Sequence, residues 1–378
     1  MKDFRSIMIA DEESLRYFGS RVDGLTRGTS LSREEAFLLF QQILKNEQPD
    51  LQQGAFLAAI TAKGATPQEI AGIWQAIYET DTVKVQPQVS CPLAENCGTG
   101  MDAIKTFNIS TAASLVAAAG GVIMAKHGAR AITSKCGTVD ILEALGVDVE
   151  CEPETVKRSI ERAGIGIFNG MSSKVHPCAL GRILSQIRFG TVLNVAGSLS
   201  NPARPEMAVR GVYSGQMVMP IAQAMQEIGY KRAYVVHGRS ADGQRGMDEL
   251  STLGCTLVAE ITEDEGLQTY TLRPQDLGLA CGDEHALLHS GRMDEEAVGL
   301  LRILEGREAG ARREIVCLNA APLLYMAGKA ADLKEGVEKA AEIMDSGLPA
   351  KKLREWVACQ NSDPGPRLER LEEMLAEA

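Results

Sequence analysis

The chain has 378 residues, enough for one large domain and a smaller one, and 45% of them are hydrophobic and 24% charged, a balance that excludes a disulfide-stapled miniature and global disorder. A formal net charge of −11 disfavours nucleic acid and anionic membranes as partners, so any anion site must be local. Nine scattered cysteines without a C-x-x-C pair read as reduced thiols, and with no apolar leader or long apolar run the expected location is the cytoplasm.

The first ninety residues predict helices. Ser32 and Glu35 form a capping box ahead of the apolar residues 36–40. Thr66-Pro67-Gln68-Glu69 combines an N-cap, a first-turn proline and a second box ahead of Ile70, Ile73, Trp74 and Ile77. Residues 80–92, with Pro87 and Pro92, cannot continue a helix and read as a hinge. Beyond it, buried strands are expected at 121–125, 165–168, 191–195, 232–237 and 256–260, alternating with helical runs, which argues for a mainly parallel sheet covered by helices. From Asp294 onward the pattern is helical, with stops at Gly328 and Gly347 and a charged, solvated tail after Pro364.

Three segments carry chemistry. In Asn96-Cys97-Gly98-Thr99-Gly100-Met101-Asp102 two glycines let backbone N–H groups approach a ligand, and Ser110 or Thr111 caps an alanine-rich helix whose N-terminus favours an anion; an ordinary turn and cap fit the same residues. Lys126-His127-Gly128-Ala129-Arg130 places a cation and an imidazole at a strand's end, beside a second turn from Thr133 to Asp140, although His127 reads equally well as structural. Asp248 and Glu249 close a glycine-rich loop that begins at His237 and suit magnesium, or simply an acid-rich helix start.

Read in order, these segments resemble the anthranilate phosphoribosyltransferase family, within the nucleoside phosphorylase and phosphoribosyltransferase superfamily. The resemblance rests on Gly98-Thr99-Gly100-x-Asp102, Thr106-Phe107-Asn108-Ile109-Ser110-Thr111, Lys126-His127-Gly128-x-Arg130, Asn201-Pro202-Ala203, Gly211-Val212-Tyr213 and Asp248-Glu249-Leu250-Ser251. It implies an α/β fold with a small N-terminal helical domain over residues 1–90, a returning segment near 170–190, and a large α/β domain over 91–378. It further implies a homodimer, and phosphoribosyl pyrophosphate (PRPP) bound between the domains with Mg2+. By the same resemblance Asn108, Lys126 and His127 are catalytic. Gly98, Thr99, Gly100, Asp102, Thr106, Ser110, Thr111, Gly128, Arg130, Ser134, Gly137 and His176 bind substrates. Ser110, Asp248 and Glu249 hold the metal.

Departures accompany the matches. Met101 stands where the family has a glycine and Ala129 where it has an asparagine, and Arg182 and Arg188 do not align with the family's paired arginines. A bidentate arginine is what selects a carboxylate, so the expected acceptor is an aromatic or heterocyclic amine other than anthranilate. The alternatives are a nucleoside or nucleotide phosphorylase of the same superfamily and a non-catalytic ligand-binding relative.

Overall fold

In the computed structural model, which describes residues 11–100, 102–130 and 136–378, both capping boxes are closed. The Glu35 N–H donates to Ser32 Oγ at 3.2 Å and the Ser32 N–H to the Glu35 carboxylate at 3.0 Å, and each such cap contributes about 1 kcal/mol. The chain divides into two units, Met1–Val83 with Met171–Ser200 and Lys84–Gly170 with Asn201–Ala378.

The first unit is helical: α1 (Glu12–Thr26), α2 (Arg33–Leu44), α3 (Asp50–Lys63) and α4 (Pro67–Thr80), joined later by α8 (Leu180–Ile187) and α9 (Leu193–Ala196). Phe18, Phe40 and Phe56 fill its core, with Phe56 5.7 Å from Phe18 and 6.4 Å from Phe40 between ring centroids. The wholly buried Glu69 carboxylate accepts the N–H groups of Leu31 at 2.8 Å and Thr66 at 2.7 Å and pairs with Lys63 Nζ at 2.8 Å. Such saturation is what a buried charge requires. Residues 191–195, expected as a strand, instead turn into α9. Local bonds decide it: the Thr191 N–H donates to Asn194 Oδ1 at 2.9 Å and the Leu193 N–H to Thr191 Oγ1 at 3.2 Å.

The second unit is built on β1 (Leu93–Cys97), β2 (Ile123–Gly128), β3 (Ile165–Asn169), β4 (Met207–Gly211) and β5 (Arg232–Arg239), parallel in the order β3-β2-β1-β4-β5. Antiparallel β6 (Gly246–Met247), β7 (Thr256–Thr262) and β8 (Gly266–Leu272) extend it beyond β5. The helices of this unit are α5 (Ile109–Ala119), α6 (Thr138–Ala144), α7 (Pro153–Ala163), α10 (Val218–Ile228), α11 (Glu284–Leu287), α12 (Met293–Leu304), α13 (Ala311–Met326), α14 (Leu333–Asp345), α15 (Leu348–Cys359) and α16 (Gly365–Glu377). The tail after Pro364 is thus not merely solvated: it is α16, which buries Leu371 and Leu375.

Strands β1 and β4 carry charges in the core, which is why their apolar character is faint in the sequence. Arg210 pairs with Glu95 at 2.5 Å across the two strands, both wholly buried. The Tyr230 hydroxyl donates to Glu95 at 2.8 Å and Asn201 Nδ2 at 3.0 Å. Strand order reverses between β1 and β4, which opens a crevice at their carboxyl ends, the place where ligands bind in parallel sheets. Among the described residues no helix is long and apolar enough to cross a membrane.

Candidate functional site

The loops leaving β1 and β4 meet at that crevice. The Thr99 N–H donates to the Gly211 carbonyl at 3.2 Å, and the Tyr213 N–H to Thr99 Oγ1 at 3.2 Å. Asp248 enters between them and accepts the Gly100 N–H at 2.7 Å. Glycine is required on both sides of it, because a Cβ on Gly98 would strike the Asp248 carboxylate and one on Gly211 its carbonyl. Gly100 has φ +72°, in the left-handed region where side chains are strained.

Helix α5 starts opposite this loop. Its Ser110 N–H donates to Glu249 Oε1 at 3.2 Å, Asn108 Nδ2 donates to Cys136 Sγ at 3.4 Å, and Thr111 Oγ1 is buried without a hydrogen-bond partner. The loop between the glycines and α5 is pinned on both edges. Ala103 and Ile104 donate to the Gly246 carbonyl, Phe107 donates to the Leu287 carbonyl at 3.0 Å, and Thr106 bridges to Leu288.

Three carboxylates gather here. Burial lifts Asp248 above the usual carboxylate range against the N–H groups that stabilise its charge. Burial and then the charges of Asp248 and Asp102 push Glu249 well above that range. Burial and Asp248 bring Asp102 up to about 6, although Lys105 lies 3.2 Å from it. Beneath them Lys126 Nζ donates to the Asn96 carbonyl at 2.9 Å and to Ser114 Oγ at 3.0 Å, and burial lowers its pKa to about 8. Buried carboxylates gathered so that one charge raises its neighbours' pKa are a standing demand for a cation. Among the described residues no three acidic, histidine or cysteine side chains close into a metal cage. Asp248, Glu249 and Ser110 offer hard oxygen donors of the kind that share magnesium with water and phosphate oxygens, and the unpartnered Thr111 hydroxyl adds polar capacity beside them. The residues fit that ion.

The remaining candidates are placed differently. His127, 4% exposed within β2, packs under Gly170, where a Cβ would come within 2.7 Å of Nε2. Arg130 is engaged by Glu143 at 2.7 Å, Glu150 at 3.1 Å and Asp140 at 3.3 Å, tying the end of β2 to α6. A Cβ on Gly128 would lie 3.3 Å from the Thr138 side chain, and the Gly137 N–H donates to Asp140 at 2.9 Å. His176 belongs to the helical unit, where its Nδ1 lies 2.8 Å from the Asp81 carbonyl. Ser134 and Met101 lie outside the described residues.

Two contributors escaped the sequence reading. Lys105 is the cation beside Asp102, and Asn319 in α13 holds the backbone of Leu250, next to Glu249. The signal for the second was present, because an asparagine inside the apolar run 315–324 is an amide that needs partners.

Comparison with known proteins adds an independent line. Residues 90–350 match the family described as "Glycosyl transferase family, a/b domain", and residues 22–80 its helical bundle domain. Anthranilate phosphoribosyltransferase from Anaeromyxobacter dehalogenans is 40% identical over 337 residues, 88% of this chain and 96% of that protein. The enzyme of the same name from Methanothermobacter marburgensis is 36% identical over 338 residues, 87% and 95% of the two chains. The crystal structure of the Thermus thermophilus enzyme superposes with a TM-score of 0.80 at 36% identity, covering 90% of this chain and 98% of that one. The Saccharomyces cerevisiae enzyme in complex with PRPP and Mg shares the fold, with a TM-score of 0.77 at 23% identity over 96% and 99% of the chains.

Proposed function

The chain belongs to the anthranilate phosphoribosyltransferase family of glycosyl transferases, and on that premise we propose that it transfers the phosphoribosyl group of PRPP to anthranilate with the help of magnesium. The observation that carries the proposal is the meeting of Asp248 and Glu249 with the Gly98-Thr99-Gly100 loop and the start of α5, at the reversal point of the sheet. The yeast relative of the same fold carries PRPP and Mg.

The amine nitrogen of the acceptor forms the new bond to the anomeric carbon of PRPP as the bond to pyrophosphate breaks, and the nitrogen then loses a proton to water. No protein nucleophile is needed, so catalysis is positioning and charge neutralisation. Asp248, Glu249 and Ser110 are the residues that would hold magnesium, and the ion when bound neutralises the departing pyrophosphate. Gly98 and Gly100 leave the loop's backbone open to phosphate oxygens, and the α5 N-terminus presents its partial positive charge to them. Lys126 keeps a positive charge under the loop, and its depression to about 8 predicts that anion affinity weakens as pH rises through that value.

The acceptor is the finer question. The relatives' shared name favours anthranilate, against the expectation drawn from the departures in the sequence. One observation favours a different aromatic amine: Arg182 is spent on Gln53 Oε1 at 3.1 Å and the Ile43 carbonyl at 3.0 Å, and Arg188 on the Ser185 carbonyl at 2.8 Å. Pyrophosphate release from PRPP, followed with anthranilate, 3- and 4-aminobenzoate and aniline in turn, separates the two. Release that requires both magnesium and anthranilate supports the first reading, and release with another amine alone supports the second. Phosphate-dependent release of a base from nucleosides would return the phosphorylase reading, and no turnover with any amine would leave a ligand-binding relative.

A further inference from the structure

We propose that Asn319 is the positioning residue that sets the Asp248–Glu249 pair for its divalent cation; this rests on the reading above, in which that pair holds magnesium. Asn319 lies in the middle of α13 and is wholly buried. Asparagine is a poor helix former, and a buried amide without partners is strongly destabilising. Here every polar group is used. Oδ1 accepts the Leu250 N–H at 2.9 Å, and Nδ2 donates to the Leu250 carbonyl at 2.9 Å and to the Ile315 carbonyl at 2.9 Å. The side chain therefore grips both faces of one residue's backbone, as a neighbouring strand would.

That residue directly follows Glu249, whose carboxylate reaches the N-terminus of α5 at Ser110. The same helix α13 packs on α5, where Leu324 is so close to Gly120 that a Cβ there would lie 2.8 Å from it. One helix thus registers both sides of the gap: the acidic pair through Asn319, and the opposing α5 through its apolar face. Gly98 and Gly211 restrict Asp248 from the other direction. Asn319 is wholly buried and its hydrogen bonds go to the backbone of Leu250 and Ile315, so its effect must pass through Leu250.

The test compares Asn319→Leu, which keeps the branched shape and removes all three bonds, with Asn319→Asp, which keeps only the acceptor for the Leu250 N–H. The magnesium concentration for half-maximal turnover should rise about tenfold or more in Asn319→Leu, with turnover at saturating magnesium within about threefold of the parent. Asn319→Asp should show the same defect at pH 8 and recover part of it near pH 6, where the introduced carboxyl can regain a proton to donate. Leu375→Ala in α16 serves as the stability control: it should lower Tm without moving the magnesium curve. Direct Mn2+ binding in the presence of pyrophosphate gives a second readout that needs no acceptor. An unchanged magnesium curve in both Asn319 variants, or an equal shift in Leu375→Ala, overturns the inference while leaving the transfer reaction standing. A parent protein that binds no divalent ion with pyrophosphate overturns both.

Discussion

Asp81, following α4, accepts the N–H groups of Cys178 at 2.5 Å, Ala179 at 3.0 Å and Leu180 at 2.7 Å, so that both oxygens are consumed by the start of α8. Asp248 and Glu249, in the other unit, are nearly as buried, and burial raises the pKa of both, with the charges of Asp248 and Asp102 raising Glu249 further. The difference lies in what each carboxylate has left to offer. One whose lone pairs are filled by amides is a brace, and a set that repels itself keeps lone pairs in reserve for a cation.

Substitutions can break this contrast from either side. The largest effect is expected for Asp248→Asn, which should lower turnover about 10³-fold or more by removing a charge that only the metal-bound reaction uses. Steady-state rates across a magnesium series check it. Asp81→Ala should leave turnover per folded molecule intact but cost about 3 kcal/mol in denaturant unfolding, because three N–H groups lose their acceptor.

Acidity sharpens the contrast further. Asp102 is raised from 3.8 to about 6, so the folded protein binds more protons than the unfolded one between those values. Stability of the metal-free protein should therefore fall as pH rises across that window, by on the order of 3 kcal/mol. Asp102→Asn should make the slope shallower in unfolding curves recorded from pH 4 to 7, leaving the part that Asp248 and Glu249 contribute. The smallest effect belongs to Glu249→Gln: the amide oxygen can still accept the Ser110 N–H while the repulsion disappears, so the metal-free protein should gain about 1 kcal/mol in unfolding free energy. If Asp81→Ala abolishes turnover, or Glu249→Gln destabilises, the division into brace and reserve fails.

Much of this was legible in the sequence because it is local. The capping boxes at Ser32 and Thr66 are complete within a few residues, and the glycines at 98 and 100 and the adjacent acids 248 and 249 are short patterns that stand out even before their distant partners are known. What escaped depends on partners far along the chain. Strand β1 is obscured by Glu95, which makes sense only beside Arg210, 115 residues later. Asn319 acquires its role from Leu250, 69 residues earlier. Arg130, a substrate-binding candidate by its motif, meets Glu143 and Glu150, which lie 13 and 20 residues further on. Residues 191–195 have the composition of a strand and lose it to side-chain bonds that periodicity does not report.

The pinned loop ahead of α5 has a consequence in time. Gly100 waits for Asp248, 148 residues downstream, and Ser110 waits for Glu249, 139 residues downstream. At synthesis rates of ~5–20 residues per second, a growing chain carries the glycine loop for roughly 7–30 s before its counterpart leaves the ribosome. Non-local closures of this kind are also the slow steps of folding. A polypeptide arrested before residue 248 holds every glycine of the cradle but lacks the acids that complete it, so capture of a divalent ion with pyrophosphate would mark a chain grown past Glu249.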